Sequence, residues 1–200
     1  MEDTSKAVGG GVCMYVNERW CKNVVIRDQL CTPDIELLSV SLRPSYLHLE
    51  FGHIFVVLVY IPPSANYNRA VSVIQNHVHK LESFTPDAPK LILGDFNGST
   101  LKSVLPNYDQ YVQCATRREK TIDLCYGNIR QAYKAIAKPP IGVSDHNSVF
   151  LLPTYCQMLK TQKEQTGSVK SWDLIPYRDF KDALTAQIGT CSPTTATIRV

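Results

Sequence analysis

Strand-sized apolar runs follow one another almost directly along this chain, and only one segment carries a helical stripe. Residues 24–30, 35–42 and 54–61 are rich in Val, Ile, Leu and Phe. Thr32-Pro33-Asp34 and Arg43-Pro44-Ser45 separate them as turns. The third run must end at Pro62-Pro63, because proline has no N–H to give a ladder. A helix is predicted over residues 68–81, where Val71, Ile74, Val78 and Leu81 form one apolar stripe. Asn66 or Asn68 is its candidate cap, and Pro86 and Pro89 lie beyond its end. Residues 90–93 form a short buried strand that runs into Gly94-Asp95-Phe96-Asn97. Further strands are expected at 108–114, 121–126 and 149–152, and residues 12–16 alternate like another. Strands that follow strands so closely point to packed sheets with helices outside, not to a strictly alternating doubly wound fold.

The 200 residues suit one domain with a sizeable core. A formal net charge of +3 is too small to argue for nucleic acid by itself. No apolar run reaches membrane-spanning length, so no membrane partner is expected. The first ten residues, MEDTSKAVGG, do not form a secretory signal. Seven cysteines, scattered and without a C-x-x-C pair, argue against zinc or a disulfide framework. Free thiols in an intracellular compartment, nucleus or cytoplasm, are the expectation. Gly9-Gly10-Gly11 looks like the turn of a hairpin whose first strand is missing. Residues 1–155 are read as the domain and 156–200 as linker or disordered tail, with a polar stretch at 160–170 and a weak helix at 179–188.

Three segments carry chemistry. In Gly94-Asp95-Phe96-Asn97, a strand delivers a carboxylate and a carboxamide two residues apart, hence to one side. Asp suits a hard cation or a proton from water, and Asn a phosphate oxygen, although an Asx turn closing a strand uses the same residues. In Ser144-Asp145-His146, a metal-binding carboxylate sits beside an imidazole able to move protons, or else a polar loop caps a turn. Asp123, alone within the apolar run 121–126, needs a partner if buried, and His146 is the candidate; an edge-strand Asp facing solvent is the alternative. Arg117, Arg118 and Lys120 form a small basic cluster that suits phosphates or a solvated loop. Asn97-Gly98-Ser99 fits the N-glycosylation pattern, but only by accident in a chain with no signal peptide.

Taken in order, Gly94-Asp95-Phe96-Asn97, Asp123 and Ser144-Asp145-His146 resemble the later motifs of the endonuclease/exonuclease/phosphatase family. Val59-Tyr60-Ile61-Pro62-Pro63 resembles the segment that ends a core strand there. Within the family, about residues 8–155 look most like the endonuclease of a non-LTR (LINE-type) retrotransposon. The resemblance implies a four-layer sandwich of two packed mixed sheets flanked by helices, incomplete at the N-terminus. It also implies Mg²⁺ or Mn²⁺, no small-molecule cofactor, and in-line attack of water on a phosphodiester, DNA in the nucleases. Carried over, Asp95 activates the water and Asn97 holds the phosphate. His146, oriented by Asp123, handles charge or a proton, and Asp145 with Asp95 serves the metal. Tyr60, Asn97, Ser144, Arg117 and Arg118 meet the substrate. The family's early Asn and Glu have no match here, so weak or absent activity and poor solubility are expected. A lipid head-group phosphatase and an inactive remnant that at most binds nucleic acid are the alternatives.

Overall fold

The structure, a computed structural model, describes residues 11–45, 47–48 and 50–155. The expectations for the tail at 156–200, its helix at 179–188 and the turn at Gly9 and Gly10 lie outside the described residues.

The elements run β1 (Asn23–Cys31), β2 (Glu36–Arg43), β3 (Ile54–Tyr60), α1 (Tyr67–Phe84), β4 (Lys90–Asp95), β5 (Asp109–Gln110), β6 (Asp123–Gly127), β7 (Tyr133–Lys138) and β8 (Ser148–Pro153). Six strands form one mixed sheet in the order β1-β2-β3-β4-β6-β5, and β7 pairs with β8 in a second. β1, β2 and β3 are an antiparallel meander. β3 and β4 are parallel, which requires a crossover, and α1 supplies it.

Side-chain parity sorts the large sheet into two faces. Leu37, Phe55, Val57, Val59 and Ile92 are buried with Ala70, Ile74, Val78 and Leu81 of α1. Val40, Leu42 and Val56 on the opposite face pack with Cys21, Met14, Val16 and Leu93. Further along that face, Leu91, Leu93 and Cys125 meet Tyr133 and Ala135 of β7 and Val149 and Leu151 of β8. β3 and β4 are therefore covered on both faces, which is why they read as unbroken apolar runs. Each fully buried aliphatic side chain such as Ile74 stabilises the fold by roughly 1.5–3 kcal/mol. The result is a mixed α/β sandwich of two packed sheets, with α1 on the outside of the larger. Among the described residues no helix covers the smaller sheet, whose Phe150 and Leu152 are exposed.

α1 is capped by Asn66, whose side chain accepts the N–H of Arg69. The helix extends to Phe84 and stops where Thr85 donates both its N–H and its hydroxyl to the Leu81 carbonyl. Buried Lys90 then donates to the carbonyls of Thr85 and Ala88, fixing the loop that starts β4.

Two expectations need correction, and one strand has no counterpart among them. Residues 12–16 are not a laddered strand; they alternate in exposure, and Met14 and Val16 reach the core with no strand partner among the described residues. The strand expected at 108–114 shrinks to Asp109–Gln110, because Tyr108, Tyr111 and Val112 anchor that stretch through buried side chains. β7 was not expected at all. Its Tyr-Lys-Ala-Ile-Ala-Lys alternation is weakened by two alanines, too small to mark a buried face.

Candidate active site

Strand register builds the site before any loop contributes. Cα partners place Glu36 of β2 opposite Tyr60 of β3, Tyr60 opposite Asp95 of β4, and Asp95 opposite Asp123 of β6. Paired residues share a face. The row therefore runs across four strands at one rim, on the face turned toward β7 and β8. Gly94 allows the close approach of β3 and β4 just before Asp95. Its φ is +147°, and a Cβ there would meet the Val59 carbonyl oxygen at 1.8 Å.

The chain turns sharply after β4. Asn97 takes φ 44°, a left-handed conformation that Asn tolerates. Its backbone N–H donates to Asp95 Oδ1 at 3.0 Å. Its side-chain amide donates to Asp95 Oδ2 at 3.0 Å and to the Ile61 carbonyl at 2.9 Å. Tyr67, in the first turn of α1, donates its hydroxyl to the Asn97 carbonyl at 3.1 Å. The Asx-turn geometry and the proposed site thus coincide. Both amide hydrogens of Asn97 are in use, so holding a phosphate through them means exchanging one.

His146 arrives from the loop before β8. Its Nδ1 lies 2.9 Å from Asp123 Oδ2. That carboxylate holds the proton on Nδ1 in the neutral ring and leaves Nε2 for chemistry. Ser144 Oγ accepts the His146 N–H at 3.1 Å, which sets the loop. One oxygen each from Asp95 and Asp123 and one ring nitrogen from His146 lie within 4.8 Å of one another. Two carboxylates and an imidazole are a donor set that fits Mn²⁺, and Mg²⁺ through its oxygens.

Burial pushes the Asp95 carboxyl above its ordinary value; the Asn97 N–H opposes this, nearby Asp123 adds to it, and His146 opposes it. Asp145 is exposed, and Arg117 holds its carboxyl below the ordinary value. Arg117 Nε and Nη2 both donate to Asp145 Oδ2, at 2.7 and 2.6 Å. Asp145 Oδ1 is 3.9 Å from His146 Nε2. Asp145 thus stands beside the three-residue cluster and is engaged by an arginine that the sequence placed on substrate. Arg118, with φ 52°, tips a small hairpin closed by the Arg117–Lys120 bridge. Arg117, Arg118, Glu119 and Lys120 line an open cleft together with Asn97 and Ile122.

Tyr60 lies half-buried in the row, next to Asp95. Sequence reasoning missed Glu36, a carboxylate buried to 4% exposure in the same row. Its only signal was a glutamate opening an apolar strand. It also missed Tyr67 and Thr116, which act through backbone groups and leave no spacing pattern.

The five described cysteines are free thiols. No described helix is long and apolar enough to cross a membrane.

No family model matches the sequence, and no curated protein does. Among solved structures, the chain is similar to a functionally unknown conserved protein from Enterococcus faecalis V583. The TM-score is 0.46 at 13% identity, over 68% of this chain and 69% of that one. It is also similar to an endonuclease/exonuclease/phosphatase family protein from Bacteroides thetaiotaomicron, with TM-score 0.41 and 11% identity, over 58% of this chain and 54% of that one.

Proposed function

We propose that the chain is a divalent-metal-dependent phosphodiester hydrolase of the endonuclease/exonuclease/phosphatase type, acting on DNA. The observation that carries this is the cluster of Asp95, Asp123 and His146, which three separate segments bring to one rim. The retrotransposon-like texture of the sequence is the ground for the finer choice of a LINE-type nicking endonuclease.

The residues suit hydrolysis by in-line attack of water on phosphorus. Asp95, held above its ordinary value by burial, is the better base for it and takes the proton from the attacking water. Protonated on both nitrogens, His146 would donate Nδ1–H to Asp123, which fixes the ring, and Nε2–H to a phosphate oxygen or to the departing oxygen, whose proton it supplies. A bound Mg²⁺ or Mn²⁺ supplies charge neutralisation on the phosphate oxygens. Asp95 and Asp123 are the carboxylates that would hold it, and Asp145 would join them on release from Arg117. Arg118 and Lys120, beside Asn97 in the open cleft, provide positive charge for an extended polyanion, which favours DNA over a compact head group.

The test is incubation of the purified chain with Mg²⁺ or Mn²⁺ on supercoiled plasmid and, separately, on a chromogenic phosphodiester. Metal-dependent nicking is expected, slow because the family's early Asn and Glu have no match here, and abolished by chelation. Asp95→Ala and His146→Ala should each reduce it by about 100-fold or more. Phosphate release from an inositol phosphate without nicking would replace DNA as substrate. No hydrolysis of any of these with either metal would end the proposal.

A further inference from the structure

Thr116 is fully buried, and all its backbone and side-chain polar groups are tied to the walls of the site. Its Oγ1 accepts two backbone N–H groups, those of Ile122 and Asp123, each at 3.0 Å. Its carbonyl accepts the Asn147 N–H at 2.6 Å, and its own N–H donates to the Lys120 carbonyl at 2.9 Å. The Asn147 side chain donates to the neighbouring Ala115 carbonyl at 3.2 Å. Residues 115–116 therefore bind both the first residue of β6 and the residue after His146. Asp123 and His146, which lie in different parts of the chain and flank different sheets, are referred to one common point.

Without the hydroxyl, two N–H groups where β6 begins would lose their acceptor, the buried one of Ile122 and the half-buried one of Asp123. Leaving such donors unsatisfied is costly, so the segment shifts to find others. Asp123 meets His146 through a single 2.9 Å contact. A shift of a fraction of an ångström is enough to misalign it.

We infer that Thr116 is a positioning residue that holds Asp123 and His146 in register, and so sets the orientation of the imidazole in the hydrolytic reaction. This rests on the hydrolytic reading of the site, so the test includes measurements that need no turnover.

Thr116→Val keeps the shape and removes the acceptor; Thr116→Ser restores it. Relative to wild type, Thr116→Val should lower kcat about tenfold or more with KM nearly unchanged, and Thr116→Ser should recover most of the loss. In an Asp123→Asn background, Thr116→Val should add less than about twofold, because its effect passes through Asp123. Full activity in Thr116→Val when Asp123→Asn is impaired would overturn the inference, as would an undiminished effect in the Asp123→Asn background. If Asp123→Asn itself leaves hydrolysis unchanged, the hydrolytic reading fails, and the ring is then read directly. By NMR, the His146 Nδ1–H signal should be present in wild type and Thr116→Ser and lost or displaced in Thr116→Val. An identical signal in all three would overturn the inference. Should Thr116→Val not fold, amide exchange in the wild-type chain decides. Slow exchange at both Ile122 and Asp123 supports the clamp, and fast exchange at either overturns it.

Discussion

At Asp95 two tendencies compete over one proton. Burial and the neighbouring carboxylate of Asp123 disfavour the charged form, while the Asn97 N–H groups and His146 favour it. The balance leaves the folded-state value above the ordinary 3.8. Relative to the unfolded chain, the fold therefore favours the protonated form of Asp95. Asp95's contribution to stability is fully present below pH 3.8 and is lost as pH rises through the raised folded value. Asn cannot titrate, so the melting temperature of wild type relative to Asp95→Asn should climb as pH falls from 7 toward 4. A flat difference, or one that shrinks on acidification, would mean that the Asn97 hydrogen bonds outweigh burial. The carboxylates and the imidazole were legible in the sequence because their chemistry is in the residue type itself. The expected Asp123–His146 contact is present, and so is the turn at Asn97. Thr116 was not legible. A threonine between Ala115 and Arg117 carries no sign that its hydroxyl will be buried under residues 122 and 123, since the hairpin that brings it there exists only in three dimensions. The pairing of Arg117 with Asp145 was equally hidden, because it joins residues 28 positions apart on two exposed loops.

β3, α1 and β4 form the unit that delivers Asp95, and its geometry depends on Gly94. The carbonyl of Val59 occupies the space a side chain at 94 would need, and the backbone there has a φ of +147°. Gly94→Ala should therefore destabilise the chain by roughly 3 kcal/mol or more, read from urea unfolding at 25 °C. Unchanged stability would show that β4 can move away from β3 without loss. Elements covered on both faces, or carrying a clear helical stripe, were readable from sequence: β2, β3, α1 and β4 match the expectation closely. The segments that failed lie where tertiary packing replaces a ladder or where small residues blur the alternation. Residues 12–16 show a strand's two-residue rhythm, yet their alternate side chains reach the core with no strand partner among the described residues. β7 has the rhythm with alanines where large residues would announce it.

At the largest scale, the sandwich was inferable from the succession of strands, whereas the unequal sheets, six strands against two among the described residues, were not, because pairing partners are not written in local periodicity. Among the described residues β1 is the outer strand of the large sheet, with Val24, Val25 and Ile26 exposed, Ile26 to 63%. An apolar edge of this kind templates association with another chain. Ile26→Lys should reduce self-association in sedimentation or light scattering, with unfolding free energy changed by no more than about 0.5 kcal/mol. Unaltered association would place the adhesive surface elsewhere, such as the outer face of β7 and β8. The bond between Asp123 and His146 has a consequence for assembly. One partner opens a strand of the large sheet and the other precedes a strand of the small one, so the pair exists only after the two layers have closed on each other. A half-folded chain with only the larger layer formed would carry Asp95 and Asp123 side by side with no imidazole between them and solvent, and the proton-handling group would arrive only when the last piece docked.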